Sequence, residues 1–374
     1  MVLPLGLVSL VAVCPAFGQV SDLELVATHA GGALYRTTGA GPRQLQVVVL
    51  RGDWSGMGRQ YGALLGASMR EFYGLAVDRY LIGLKKCRYE ELRQHGRELT
   101  QRLPGSLREL IRGMAATSGI GLDRQCIVSA LTFLLVTTGC SGLAAWGRYT
   151  GGGPLVAGRN WDSTRGPLHG FGRFVTVVVY NPDGARRSVA EVCYVGTAQP
   201  QVGMNSDGLF LDLHTAGRSD PGTFEERASV NGALFAALLG CADAKQVGRM
   251  LERTLPSKAV VVTAADPTVA EVHEWSTRGA RRRGGEGFVA STNHFVHPLW
   301  TDLPSIPAGA AGGFTRERLT NLLALGGNLR DSVDVHRLMR ILETAIPDGG
   351  PSFPPGGPLE TYHRVVAVPG QRTL

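Results

Sequence analysis

The sequence predicts a layered α+β domain, and three observations carry that expectation. A helical stretch begins at residue 57, short strands separated by turns take over after residue 139, and helices return in pairs between and beyond those strands. Residues 44–50, Gln-Leu-Gln-Val-Val-Val-Leu, alternate and then turn β-branched, which reads as a strand. From 57 to 137 the period lengthens: Met57, Tyr61, Leu64, Leu65 and Met69 keep helical spacing, 89–103 is amphipathic and charged, and Pro104-Gly105 interrupts before 107–116. Asp123 is placed to cap a last helix, 124–137, apolar on nearly every side and therefore buried. Strands follow at 155–157, 174–180, 188–194, 208–213, 259–263, 268–275 and 287–291, with turns at Asn181-Pro182-Asp183-Gly184 and Ala265-Asp266-Pro267. Helices occupy 230–239, 243–254, 316–325 and 332–344. A Pro/Gly-rich connection spans 347–358 before a final strand at 362–368. Arg281-Arg282-Arg283, flanked by glycines, reads as a solvated turn between two strands.

Composition narrows the function classes. A length of 374 residues admits one large domain or two ordinary ones. With 18% charged residues and a mean hydropathy of +0.02, the chain is neither a disordered polyelectrolyte nor a polytopic membrane protein. The net charge of +7 comes from 34 arginines and four lysines, and the arginine triplet lacks interleaved aromatics, so no nucleic-acid partner is expected. Residues 1–18 carry no charge, are mostly apolar through Val13 and end in Ala16-Phe17-Gly18, a small-x-small pattern. They read as a secretory signal cleaved before Gln19, which predicts a periplasmic or extracellular protein. The missing basic residue in that stretch favours the competing reading of a buried N-terminal strand. Val11-Ala12-Val13-Cys14 approaches a lipoprotein box, with Val13 where a small residue is expected. No other apolar run approaches the ~20 residues that span a bilayer, so no stable membrane insertion is expected.

Six cysteines contain no C-x-x-C, and G-x-S-x-G and P-loop patterns are absent. His294-Phe295-Val296-His297 lacks nearby carboxylate or cysteine partners and reads as structural or pocket-lining rather than as a metal pair. Neither a metal nor a cofactor is expected. The sharpest feature is Thr137-Thr138-Gly139-Cys140-Ser141-Gly142, where the buried helix gives way to strands, followed by Gly158-Arg159-Asn160-Trp161-Asp162. A free cysteine is usually an inert core residue, and Arg159 with Asp162 equally describes a surface ion pair. Against that, the glycine before Cys140 leaves the upstream carbonyl open to attack. An arginine nearby would stabilise a thiolate, and an aspartate would orient an amine.

Taken together with Leu50-Arg51-Gly52, Met57-Gly58-Arg59-Gln60-Tyr61-Gly62, Gly203-Met204-Asn205-Ser206-Asp207-Gly208-Leu209, Ser291-Thr292-Asn293-His294-Phe295 and Arg316, these motifs resemble a known family in its order. It is the N-terminal nucleophile hydrolases of the penicillin acyltransferase, choloylglycine hydrolase and acid ceramidase superfamily, nearest to the isopenicillin N acyltransferase-like self-cleaving branch. The resemblance implies a four-layer αββα sandwich with a helical N-terminal segment, and no cofactor. It implies self-cleavage between Gly139 and Cys140, leaving 19–139 as a short chain and 140–374 as the catalytic chain of an αβ heterodimer. Cys140 would then be the nucleophile and its new α-amino group the base. Arg159 would sit beside the sulfur and Asp162 would hold the amine. Asn205 and Asn293 would supply the oxyanion-hole and amine-contacting amides, and Arg316 the second active-site arginine. Serine is usual shortly before that second arginine; here Gly312-Gly313-Phe314-Thr315 precedes it, and Arg318 competes for the role.

The expected activity is that of a cysteine amidohydrolase or acyltransferase acting on a small-molecule linear amide through a Cys140 thioester. A lipid-directed hydrolase, ceramidase-like or phospholipase-B-like, and a catalytically inactive secreted binding protein of the same fold stand as alternatives. Arg159 and Asp162 are three apart and face opposite sides of a regular strand, so lining one site predicts a break between them. With Cys14 in the signal, five cysteines remain, and pairing of the others would leave Cys140 as the odd one.

Overall fold

The computed structural model describes residues 23–38, 44–134, 137–164, 167–198, 201–329, 331–354, 357 and 359–374. The signal-peptide expectation for 1–18 lies outside the described residues. The described residues open on a hairpin, β1 (Leu23–His29) and β2 (Gly32–Thr37), which the sequence reading missed, and then β3 (Gln46–Gly52). Four helices follow: α1 (Trp54–Tyr73), extended by a π-type turn over Gly74–Leu84, then α2 (Tyr89–Gln101), α3 (Gly105–Ser118) and α4 (Leu122–Leu134). The Asp53 side chain caps α1 by accepting from the Gly56 amide at 2.5 Å, and Met57, Tyr61, Leu65 and Met69 form its buried stripe, while Leu64 is only half-buried. The helix expected to run to Thr137 is described to Leu134, and Thr137 already belongs to a strand.

That strand is β4 (Thr137–Ala145), paired with β5 (Val156–Thr164). Then come β6 (Val175–Pro182), β7 (Val189–Tyr194), β8 (Val202–Asn205) and β9 (Phe210–Thr215), the helices α5 (Val230–Gly240) and α6 (Ala244–Glu252), and β10 (Val260–Ala265), β11 (Ala270–Ser276), β12 (Gly279–Arg283) and β13 (Phe288–Ser291). Helices α7 (Thr315–Asn328) and α8 (Val335–Glu343) precede β14 (Leu359–Ala367). The expected arginine turn is instead the edge strand β12. Arg282 pairs with Glu271 at 2.9 Å and Arg283 with Glu274 at 2.7 Å, which lets a charged stretch pair in register with β11.

The strands form two sheets. One runs β1-β2-β3-β6-β7-β8-β9-β10-β11-β12, the other β13-β4-β5-β14. The large sheet carries α1, α5 and α6 on its outer face, with α3 packed on α1, and the small sheet carries α7 and α8 on its own outer face; β4 faces β9 and β10. Alternation along the small sheet separates two cores. Ala144, Ala157, Trp161 and Val289 point between the sheets, whereas Leu143, Ala145, Val156 and Ala290 pack on Leu319, Leu322, Leu338 and Leu342 of the two helices. The architecture is therefore the expected α+β, four-layer αββα arrangement. The 19–139 stretch is less purely helical than expected, since its three strands extend the large sheet. Cys87, Cys126, Cys140, Cys193 and Cys241 are all free thiols, so Cys140 is not singled out by the pairing of the others.

One buried carboxyl affects stability. Glu191 on β7 accepts from the Tyr180 hydroxyl at 2.7 Å in a layer where Tyr180 also meets Trp54 and Phe235, and among the described residues no cation offsets it. Burial pushes its carboxyl from 4.5 up to about 7. The folded state thus holds a proton that the unfolded chain releases. The resulting stability is full below pH 4.5 and falls by about 3 kcal/mol as pH rises through 7. Glu191→Gln is expected to remove that contribution to the fall, measured as urea-unfolding free energies at pH 4.5 and 8. An equal fall in both proteins would contradict it.

Candidate active site

Cys140 lies in β4 with its side chain between the sheets, and it is 2% exposed. Every polar atom that the structure assigns to it is met by a buried group. The Arg159 Nη2 donates to its Sγ at 3.1 Å. Its backbone N–H donates to Asn293 Oδ1 at 2.6 Å, and its carbonyl accepts from Arg318 Nη1 at 2.7 Å. Arg318 also donates to Asn293 Oδ1 at 3.0 Å and pairs with Asp162 at 3.1 Å, and Asp162 accepts from the Thr361 hydroxyl at 2.7 Å. The Thr315 hydroxyl accepts the Asn293 backbone N–H at 2.9 Å and so fixes the backbone, and the Asn293 side-chain amide donates to the Thr215 carbonyl at 2.9 Å, a bond the side chain would lose by swinging away.

The expected break between Arg159 and Asp162 is absent, and the geometry explains why it is not needed. Strand β5 continues through both residues, while its partners absorb one extra residue each, between Thr137 and Gly139 on β4 and between Thr361 and His363 on β14. Arg159 reaches the sulfur from the inter-sheet side. Asp162 lies on the α7 side, where it meets Arg318, which in turn holds the Cys140 carbonyl. The two charges therefore clamp the Cys140 strand from opposite faces.

Two assignments change. Asn205 is not in this cluster: its Oδ1 accepts the Asp207 and Leu209 amides at 3.0 Å, and its Nδ2 donates to the Leu238 and Cys241 carbonyls at 2.8 Å. Both amide hydrogens are consumed, so Asn205 fixes the turn after β8 and has none left for an oxyanion. Arg316 is exposed and donates to the Ile306 carbonyl at 3.4 Å, and of the two the buried arginine is Arg318. Helix α7 begins at Thr315, and at about 100° per residue Arg316 and Arg318 stand roughly 200° apart, so only one of them can face inward.

The sequence reading also missed a group behind Arg159. Asp212 on β9 faces Arg159 Nε at 3.1 Å and His214 Nε2 at 2.5 Å, all fully buried. The available signal was two ionisable residues, two apart and so on one face, in the otherwise apolar strand Phe210–Thr215. Two glycines make room for these charges. A Cβ at Gly142 would stand 2.6 Å from Asp212 Oδ2, and one at Gly139 would meet Asp162 at 3.1 Å and Arg318 at 3.2 Å.

The electrostatics follow from burial. Desolvation raises the Cys140 thiol to about 11 in the continuous chain, with Arg159 pulling the other way. Burial opposes the charge on Arg159, but Asp212 and the Cys140 sulfur outweigh it and hold the guanidinium above the ordinary arginine range. Burial pushes the Asp162 carboxyl up while Arg318 and Thr361 draw it down. His294, with its Nδ1 3.0 Å from both the Thr292 and Thr315 hydroxyls, is lowered by burial to about 4 and is neutral at ordinary pH. Among the described residues no group of three or more histidine, cysteine or acidic side chains is arranged to hold a metal ion.

No protein-family model matches the chain, and no curated protein matches it in sequence. Among solved structures, the chain is similar to the Caenorhabditis elegans ortholog of N-acylethanolamine-hydrolyzing acid amidase, at 15% identity and a TM-score of 0.44, over 62% of this chain and 93% of that one. It is also similar to two variant forms of the conjugated bile acid hydrolase from Clostridium perfringens. These align at 16% and 14% identity with TM-scores of 0.36 and 0.38, over 55% and 54% of this chain and 78% of each of theirs.

Proposed function

We propose that the chain is a self-processing cysteine amidohydrolase of the N-terminal nucleophile type, acting on a linear amide of a small molecule. The observation that carries this reading is that buried groups address the sulfur, nitrogen and carbonyl of the single residue Cys140 separately, through Arg159, Asn293 and Arg318. A structural core cysteine has no use for such an arrangement.

In the maturation step the Cys140 sulfur attacks the Gly139 carbonyl carbon. The carbon–nitrogen bond breaks, the thiol proton passes to the departing nitrogen, and a thioester and an α-amine result. Water then cleaves the thioester, giving a Gly139 carboxylate and a free thiol on a new N-terminal residue. That amine, with an ordinary pKa of ~7.7 to 8.0, becomes the general base beside its own sulfur. Asn293 Oδ1 already receives the same nitrogen, and Arg318, packed against Gly139, supplies positive charge beside the bond to be cut. Substrate turnover repeats the chemistry: the thiolate displaces the amine of the substrate, the amine leaves with a proton, and water hydrolyses the acyl-thioester. Where an amine takes the place of water, the outcome is acyl transfer.

The cut chains, 19–139 and 140–374, would remain joined, because β3 of the first pairs in parallel with β6 of the second from Gln46 to Gly52. Export directed by residues 1–18 forms part of the same proposal. The test is alkylation of the purified protein with iodoacetamide followed by peptide mapping. Modification at Cys140 as an N-terminal residue, with loss of amide hydrolysis, is the expected result. Modification confined to Cys87, the one half-exposed thiol among the described residues, with hydrolysis retained, would overturn the reading.

A further inference from the structure

Asn293 stands in a stretch that has left its sheet. Strand β13 ends at Ser291, and beyond it backbone N–H groups turn to side chains instead of a neighbouring strand. The Asn293 N–H goes to the Thr315 hydroxyl, the Phe295 N–H to the Ser219 hydroxyl at 2.9 Å, and the Val296 and His297 N–H groups to Glu274 at 2.8 and 3.0 Å. Glu274 belongs to β11 of the large sheet, and its side chain is fully buried. Its Oε1 accepts from Arg283 Nε at 2.7 Å as well as from Val296, and its Oε2 from the Trp300 indole N–H at 2.8 Å as well as from His297. All four acceptor positions of the carboxylate are thereby taken. Arg283 closes the grip from the other side, its Nη1 donating to the Ala290 carbonyl on β13 at 3.2 Å. The pair therefore holds the chain three residues before Asn293 and again three and four residues after it.

A surface loop does not need such an anchor. Burying a carboxylate is unfavourable unless every lone pair is met, and the loop held here returns little apolar burial, with Val296 41% and Leu299 64% exposed. What the pair supplies is a fixed backbone path on both sides of one asparagine. That asparagine keeps its Oδ1 2.6 Å from the Cys140 nitrogen and 3.0 Å from Arg318 Nη2.

We propose that Glu274, paired with Arg283, is a positioning residue that sets the Asn293 amide on the Cys140 nitrogen. It acts only through the loop and touches neither the sulfur nor the bond to be cut. This deepens the function proposed above and rests on it. A reacting group displaced by about 1 Å loses about 10²-fold in rate, so a loosened loop registers in the chemistry before it registers in the fold. Glu271 supplies the comparison. It lies three residues away on the same strand and so on the opposite face, and it is likewise a buried carboxylate paired with an arginine of β12. Its partners are Arg282 at 2.9 Å and His273 at 3.4 Å, both away from Asn293.

The test compares Glu274→Gln with Glu271→Gln in the full chain, well below the Tm of either. A glutamine at 274 sets an N–H₂ group against two of the four donors whichever way its amide is turned. The chain's own Gly139–Cys140 bond is the substrate: the protein is made by cell-free synthesis, translation is stopped, and the cut is timed by electrophoresis. Glu274→Gln is expected to slow the cut by about ten-fold or more, and Glu271→Gln by less than about two-fold, because it shares no partner with Asn293. The side-chain amide resonance of Asn293, identified in asparagine-labelled protein by its loss in Asn293→Ala, should move in Glu274→Gln and stay in place in Glu271→Gln. Should Glu274→Gln fail to fold, Trp300→Phe decides. It withdraws one donor, keeps the Arg283 pair, and should slow the cut by about three-fold and move the same resonance. Equal slowing in the two glutamine variants, or an Asn293 resonance indifferent to both Glu274→Gln and Trp300→Phe, would overturn the positioning role. The two proposals fail separately: an uncut wild type whose Asn293 resonance follows Glu274 overturns self-processing alone, and a wild type that is cut as fast as Glu274→Gln overturns the positioning role alone.

Discussion

Purified wild-type protein is expected to run as two chains whose masses place the cut between Gly139 and Cys140, and Cys140→Ala as one uncut chain. Intact-mass spectrometry measures both directly. The alanine variant should also lose amide hydrolysis by about four orders of magnitude or more, since removal of a nucleophile eliminates the covalent route and not merely one hydrogen bond. Its fold should survive. The Cys140 sulfur makes one hydrogen bond, to Arg159, and that guanidinium keeps Asp212 and the Gln201 carbonyl as partners. An uncut wild type, or an alanine variant cut at the same bond, would exclude self-processing through this residue. The high thiol pKa of the continuous chain bears on the rate: with the thiol raised to about 11 by burial, maturation should be slow near neutral pH and quicken as pH rises toward that value.

Arg318→Met should abolish maturation and destabilise the chain by about 3 to 5 kcal/mol, whereas Arg316→Met should change stability by less than about 0.5 kcal/mol and leave the cut intact. The asymmetry follows from what each guanidinium touches. Arg318 is fully buried and joins Asp162, Asn293 and the Cys140 carbonyl, so its loss takes from the buried Asp162 carboxyl the largest of the charges that offset its burial. Arg316 lies in solvent at the first turn of α7. Chemical denaturation of both variants, with mass analysis of the cut, decides between them. Equal effects would mean that the second arginine had been misplaced again.

The contrast between these two arginines shows how far a motif reaches. Order along the chain placed an arginine near the start of a helix but could not fix the helical phase. The phase depends on Phe314, which adopts a left-handed φ of 51° and starts α7 at Thr315. Asn205 failed for a related reason. An asparagine before a tight turn is equally suited to capping it, and only the nearby end of α5, whose Leu238 and Cys241 carbonyls lacked donors, shows which role it took. Asp212 and His214 went unnoticed because pairing β9 with β10, and facing both toward β4, is a long-range event that no local pattern encodes. The hairpin β1–β2 was likewise invisible: its first strand is exposed along its whole length and carries no alternation to read.

Local chemistry alone determined a good deal. Helical and strand periods gave the α+β layering, since they record which side chains must leave water. A glycine before a cysteine, with an arginine and an aspartate shortly after, made Cys140, Arg159 and Asp162 candidates beside the reading of an inert core thiol and a surface ion pair, and the ordered motifs resembling a known family singled them out. Tertiary structure decided how they meet. Strand alternation sends Arg159 and Asp162 to opposite faces, so neither could reach the other on β5. They act on one residue only because a second sheet brings Asp212 behind Arg159 and a helix brings Arg318 between Asp162 and Cys140. Buried charges need partners within about 4 Å, and in this fold those partners come from residues 53 and 156 positions away in the chain.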